Sequence, residues 1–288
     1  MSYEEKDHLL LEAWIELRPE SAFVLPAGHG QRMMAVLLYL VREQDEDLST
    51  RLHDAAGEKP YTVSMLGGEF ELASPGHVRL SPEKVYRFRV TSIDPHLSQM
   101  LIQGVFPCLE GREIQIGEGV FRVLGVESSV ETLADIYRRH MVEDIRDPAR
   151  VGMVFHSPTA FRSSGRNFLF PEPRLVWLSL NRSWGSVSRV DLGKDLHEEA
   201  AREIFVTRYE LRTSILHFDR YRQVGFSGHC EYVISPEEQW KGRIYSLLLD
   251  FSRYSGLGMK KTMGMGQVEP VFPGARSTRS STASSQDD

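Results

Sequence analysis

Cysteine is scarce in this chain: its 288 residues hold two, Cys108 and Cys230, in unrelated contexts. No CxxC pair or Cys/His ligand spacing appears, so a structural zinc site is not expected, and isolated thiols suit a reducing compartment. No apolar run reaches the roughly 18 residues that a bilayer span needs. Residues 1–8 lack the basic start and apolar middle of a signal peptide. The expected location is the cytoplasm, without membrane contact. A basic surplus is also missing, since the net charge is −6. The deficit is uneven: residues 1–149 carry about −10 and residues 150–272 about +4. A polyanion would therefore make most of its contacts with the second half. Acidic clusters with metal spacing are absent, which argues against two-metal hydrolysis, and no cofactor is expected.

What is present is an alternation of strand and helix patterns. Residues 9–17 (LLLEAWIEL) read as a first strand, and 19–30 as a loop broken by Pro26, Gly28 and Gly30. Residues 31–42 (QRMMAVLLYLVR) place Met33, Met34, Leu37, Leu40 and Val41 on one helical face. A short helix follows at 46–53, then strands at 60–66 and 84–93, a short helix at 97–108 and a hairpin at 111–126. The second half repeats the order. It has a strand at 151–156, a polar loop at 162–165, a helix at 172–184 opened by Pro171 and Pro173, and mixed signals at 200–213. A strand at 225–235, a strong helix at 236–254 and a short strand at 267–271 complete it. The expected fold is α+β: two tandem ferredoxin-like (RRM-like) domains, over 1–140 and 141–272. No sequence repeat links the halves, so the duplication rests on element order. Residues 273–288 are rich in Pro, Gly, Ser, Thr and Asp and read as a disordered tail.

The sharpest motif is 255–268, SGLGMKKTMGMGQV. Gly256, Gly258, Gly264 and Gly266 flank Lys260 and Lys261, between a helix and the last strand. Glycines permit close backbone approach, and exposed amides with two lysines would make an anion cradle. Neither a P-loop nor a dinucleotide fingerprint fits, because a helix precedes this loop and the spacing is wrong. The alternative is a helix C-cap followed by a glycine-rich turn.

Residues 225–268 (GFSGHCEYVISPEEQWKGRIYSLLLDFSRYSGLGMKKTMGMGQV) resemble the C-terminal half of the CRISPR-associated repeat-processing endoribonucleases of the RAMP superfamily. Residues 157–184 (SPTAFRSSGRNFLFPEPRLVWLSLNRSW) resemble that family's central segment. The resemblance runs from about residue 9 to 271. It implies a metal-independent cut within CRISPR repeat RNA by 2′-OH transesterification, leaving a 2′,3′-cyclic phosphate and a 5′-OH. It implies CRISPR repeat RNA (pre-crRNA) as partner. It leaves open a homodimer, other Cas proteins of an effector complex, and the alternative of a non-catalytic scaffold subunit.

A metal-free ribonuclease needs a base for the 2′-OH, an acid for the leaving 5′-oxygen and a donor or cation for the phosphorane. By resemblance, His53 in Leu52–His53–Asp54 matches the family's catalytic histidine, and Lys59, before Pro60–Tyr61–Thr62, its assisting lysine. The family's helix tyrosine falls on Leu38, one residue from Tyr39. His29, between Gly28 and Gly30, therefore becomes the expected partner of His53, with Tyr39 as a further catalytic candidate that the helix pattern also suits to the core. For RNA binding the expectation is the glycine loop with Lys260 and Lys261, and then Arg162 and Arg166 beside Phe161 and Phe168. Arg220 and Arg222 flank Tyr221 in the same manner. The aromatic motifs of a generic RNA-binding sheet are not found.

Overall fold

The computed structural model describes residues 8–143, 149–218 and 221–273. Arg220 lies outside them, as does the expected disordered tail from residue 274 onward.

The first module opens with β1 (Leu9–Pro19), where Leu11, Ala13, Ile15 and Leu17 alternate into the core. There follow β2 (Phe23–Pro26), α1 (Gly30–Arg42), α2 (Glu46–Asp54), β3 (Tyr61–Val63), β4 (Glu71–Ser74), β5 (His77–Leu80), β6 (Tyr86–Ser92), α3 (Pro95–Met100), β7 (Glu113–Ile116) and β8 (Gly119–Thr132). Helix α1 buries Met33, Val36, Leu37, Leu40 and Val41 against the sheet. The Asp45 side chain caps α2 by accepting from Leu48 N–H at 2.8 Å, which satisfies one orphan donor of its first turn. The main sheet runs β3-β6-β1-β8-β7, with every pairing antiparallel. Two helical crossovers and the central β1–β6 pair make this ferredoxin-like.

After α4 (Leu133–Tyr137) the pattern recurs with β9 (Arg150–Thr159), β10 (Phe161–Ser163), β11 (Arg166–Phe168), α5 (Pro173–Gly185), α6 (Leu196–Glu203), β12 (Ile204–His217), β13 (Arg222–Ile234), α7 (Gln239–Ser255) and β14 (Val268–Val271). The sheet order β12-β13-β9-β14 repeats the first module's β3-β6-β1-β8 position for position. The two cores touch. Leu10, Ile93, Leu133 and Ile136 pack with Trp177, Leu248 and Phe251 of the second module.

Three expectations change. The loop at 19–30 contains β2, which pairs with β5 in a small sheet, β2-β5-β4. Four-residue strands with exposed faces carry too little periodicity to be read from sequence. The polar loop at 162–165 is the tip of the β10–β11 hairpin. The mixed segment at 200–213 divides at Glu203, where α6 hands over directly to the long strand β12. Among the described residues no helix is long and apolar enough to cross a membrane.

Candidate functional site

His53 lies in the last turn of α2 with its side chain 65% exposed. Its Nδ1 is 2.8 Å from Asp54 Oδ1. A carboxylate accepts, so Nδ1–H donates to it, and Nε2 has no hydrogen-bond partner among the described residues. Lys59 returns beneath the same turn. Its Nζ donates to the carbonyls of Leu52 (2.8 Å) and His53 (2.7 Å), satisfying two orphan acceptors of the helix end. Burial lowers the Lys59 pKa, against an opposing pull from Asp54. His53, Asp54 and Lys59 thus form one cluster at the positive-charge-favouring end of a helix.

The neighbouring Glu58 is anchored from the other module. Lys261 is 5% exposed, and its Nζ donates to Glu58 Oε2 (2.9 Å) and Ser183 Oγ (3.1 Å). The expectation that Lys261 binds RNA is corrected: its charge is spent inside the protein, tying the loop before β3 to the glycine-rich segment.

His29 is corrected as well. It is 2% exposed, Nδ1–H donates to Pro26 O at 2.9 Å, and Nε2 accepts from Leu66 N–H at 2.9 Å. Burial lowers its pKa to about 4. Both ring nitrogens are committed to backbone, so the ring joins β2 to the segment after β3 and has no nitrogen to offer His53. Tyr39 is the reverse case. It stands 58% exposed on the outer face of α1 rather than in the core, and its hydrogen bond with Glu43 raises its pKa. Arg112 holds that same Glu43 at 2.6 Å, so Tyr39 belongs to a surface network that shares no hydrogen bond with the His53 cluster among the described residues.

The glycine loop is an inter-module seam rather than an open cradle. Gly264 N–H donates to Val63 O at 2.9 Å. A Cβ on Gly256 would meet Thr62 at 2.9 Å, and one on Gly264 would meet Met65 at 2.4 Å. Gly258 and Gly266 approach Ala160 O and Leu257 O in the same way. Gly258 and Gly266 pass close to backbone carbonyls, and Gly256 and Gly264 to side chains of the first module, so none has room for a Cβ. Lys260 alone turns outward. Its backbone is left-handed, with φ 57°. Its Nζ donates to Tyr221 Oη at 2.8 Å and lies 4.3 Å from that ring's centroid.

Around Lys260 opens a cleft of about 360 Å³ that also gathers Arg162, Asn167, Tyr221 and Gln223. Arg162 and Arg166 are exposed on the β10–β11 hairpin and make no ion pair among the described residues. Phe168 is exposed, but Phe161 is buried in the core and offers no stacking face. Sequence reasoning flagged Arg162, Lys260 and the Arg–Tyr–Arg run around Tyr221. It missed Asn167, Gln223, Glu58 and Ser183, whose local sequence carries no signal. Among the described residues no group of three or more His, Cys, Asp or Glu side chains is placed to hold a metal ion.

Comparison with known proteins places these features in context. Residues 153–268 match the family model described as CRISPR-associated endoribonuclease Cas6. The Streptococcus thermophilus protein named CRISPR-associated endoribonuclease Cas6 is 31% identical over 119 residues, 41% of this chain and 49% of that protein. A Mycobacterium tuberculosis protein of the same name is 30% identical over 122 residues, 41% of this chain and 38% of that protein. The match therefore spans less than half the length of either relative. Among solved structures, a Cas6 product complex superposes with a TM-score of 0.71 at 24% identity, covering 91% of this chain and 99% of that one. Thermus thermophilus Cas6 gives 0.67 at 19%, covering 91% and 98%. At such identities these superpositions establish the shared tandem fold.

Proposed function

We propose, for a chain with the fold of the Cas6 proteins and the Cas6 sequence signature across residues 153–268, that it is an endoribonuclease cutting CRISPR precursor RNA within the repeat, without a metal ion. The observation that carries this reading is the His53–Asp54–Lys59 cluster at the exposed end of α2. His53 Nε2 takes the 2′-OH proton. The 2′-oxygen attacks phosphorus, the bond to the 5′-oxygen breaks and water protonates the departing oxygen, leaving a 2′,3′-cyclic phosphate and a 5′-OH, while His53 returns its proton to solvent. Two of the three Lys59 N–H groups hold the helix end, and the third remains for the charged phosphorane. Asp54 keeps the imidazole in the tautomer that serves as base. Lys260, Arg162 and Arg166 supply phosphate contacts on the more basic half of the chain, so repeat RNA is the proposed partner.

The test is incubation of the full chain with labelled repeat RNA from its own CRISPR array in EDTA, beside His53→Ala. The expected result is a single cut by wild type, blocked by a 2′-deoxy at the scissile position. The variant should lose at least about 100-fold in rate with affinity retained, the scale of a lost general base. Tight binding with no cut by wild type would replace the enzyme by a repeat-binding scaffold subunit.

A further inference from the structure

The cleft beside Lys260 has a composition that phosphate binding alone does not require. One wall is aromatic: Tyr221 is 38% exposed, with the buried ring of Phe218 stacked behind it, centroids 4.9 Å apart and planes 30° apart. A second wall is amide. Gln223 is only 6% exposed, and its Nε2 donates to Val224 O at 2.9 Å. That bond fixes the plane of the amide and leaves its carbonyl oxygen and second N–H for the cleft it lines. Asn167 faces the same space from the hairpin, directly opposite Arg162 in the β10–β11 register.

The walls are held rigidly. Ser164 and Gly165, at the hairpin tip, both have positive φ (49° and 77°). Two such residues make the turn whose twist matches the flanking strands. Lys260 is held in a left-handed conformation, with its carbonyl accepting from Met263 N–H at 2.9 Å. A non-glycine residue in that region is strained, and such strain clusters where a side chain must be aimed. The aim here is the ammonium group at Tyr221.

We propose that this cleft is a specificity subsite for one unpaired adenine nucleotide of the RNA, stacked against Tyr221, read on its edge by Gln223 and Asn167, with its phosphate on Lys260 and Arg162. The inference deepens the ribonuclease reading and rests on it. Sequence-specific RNA recognition targets splayed single-stranded bases through aromatic stacking and edge hydrogen bonds. A side-chain amide offers a donor and an acceptor side by side, which adenine complements with its N6 amino group and adjacent ring nitrogen. The volume lies within the roughly 300–1,000 Å³ of small-ligand sites, and a base still paired in a duplex could not enter.

The experiment measures binding and cleavage of repeat RNA by the full chain, with each unpaired adenine replaced in turn by guanine, cytosine and uracil. The proteins compared are wild type, Asn167→Ala on the exposed hairpin, and the near-isosteric Gln223→Glu. The expected result is one position at which replacement weakens wild-type binding on the order of tenfold, the scale of a good amide–base pair. That preference should shrink to about twofold in both variants, while His53→Ala keeps it in full. Cleavage by wild type that tolerates every replacement, or a preference untouched by both variants, overturns the subsite and leaves the ribonuclease standing. Wild type that neither binds nor cuts the repeat overturns both.

Discussion

His29 illustrates how one residue's chemistry is decided by what surrounds it. Its ring is neutral in the folded chain because burial lowers its pKa from 6.5 to about 4. Below pH 6.5 the unfolded chain binds a proton at this ring that the folded chain refuses. The stabilising contribution is therefore complete above pH 6.5 and falls away as the pH drops toward 4, by up to about 3 kcal/mol. Urea unfolding midpoints at pH 7.5 and 4.5 should show that fall, and His29→Gln should flatten it. Adjacent lysines should separate just as clearly. Lys260→Ala should weaken RNA binding and reduce its salt slope by about one. Lys261→Met should leave the salt slope unchanged and cost about 1–3 kcal/mol, because Glu58 loses its partner in a half-buried setting. Urea midpoints and RNA titrations at several salt concentrations check both.

Elements here are positioned by close approaches of backbone. A Cβ on Gly30, the first residue of α1, would sit 1.8 Å from the carbonyl oxygen of Met263 in the glycine segment. Gly30→Ala must push the helix and that segment apart, and should cost roughly 3 kcal/mol or more. Gly57 is the control. It has φ 89° but open space around its missing Cβ, so Gly57→Ala should cost only the left-handed penalty of about 1–2 kcal/mol. Thermal melting of the two variants side by side measures the difference. Equal losses would mean that the seam is not tightly packed.

At the scale of the whole molecule, the modules are joined by a buried polar network as well as by shared core. Arg89 on β6 donates to Glu12 on β1 (2.9 Å), to Gln267 beside β14 (3.3 Å) and to the carbonyl of Arg253 on α7 (2.7 Å). Thr91 adds a bond of 2.6 Å to Tyr254 O. Both side chains of the Arg89–Glu12 pair are 7% exposed. Removing one partner strands a buried charge, so Arg89→Met should cost about 3–5 kcal/mol, and adding Glu12→Gln should recover part of it. Wild type should unfold in one transition by circular dichroism and tryptophan fluorescence, since neither module keeps its interior when the other melts. Two separated transitions would refute that coupling.

The hydrophobic periodicity alone determined most of the architecture. The alternation in β1 and the apolar stripes of α1 and α7 place those elements because local pattern and burial agree. Element order made the tandem ferredoxin-like plan legible, and the blocks at 157–184 and 225–268 pointed to the family that the comparisons name. That His53 and Lys59 come together also follows from the sequence, since a six-residue separation lets a lysine fold back under a helix end. Only the tertiary structure decided the rest. Lys260 and Lys261 are neighbours of the same type, yet one faces solvent and the other a carboxylate from the other module. His29 and His53 both sit beside helix termini, and only burial separates a neutral strut from a ring open to solvent. Asn167 and Gln223 carry no local signal, because their meeting depends on how a hairpin tip, a strand end and a strained loop converge. Such convergence depends on long-range packing, which periodicity along one segment does not encode.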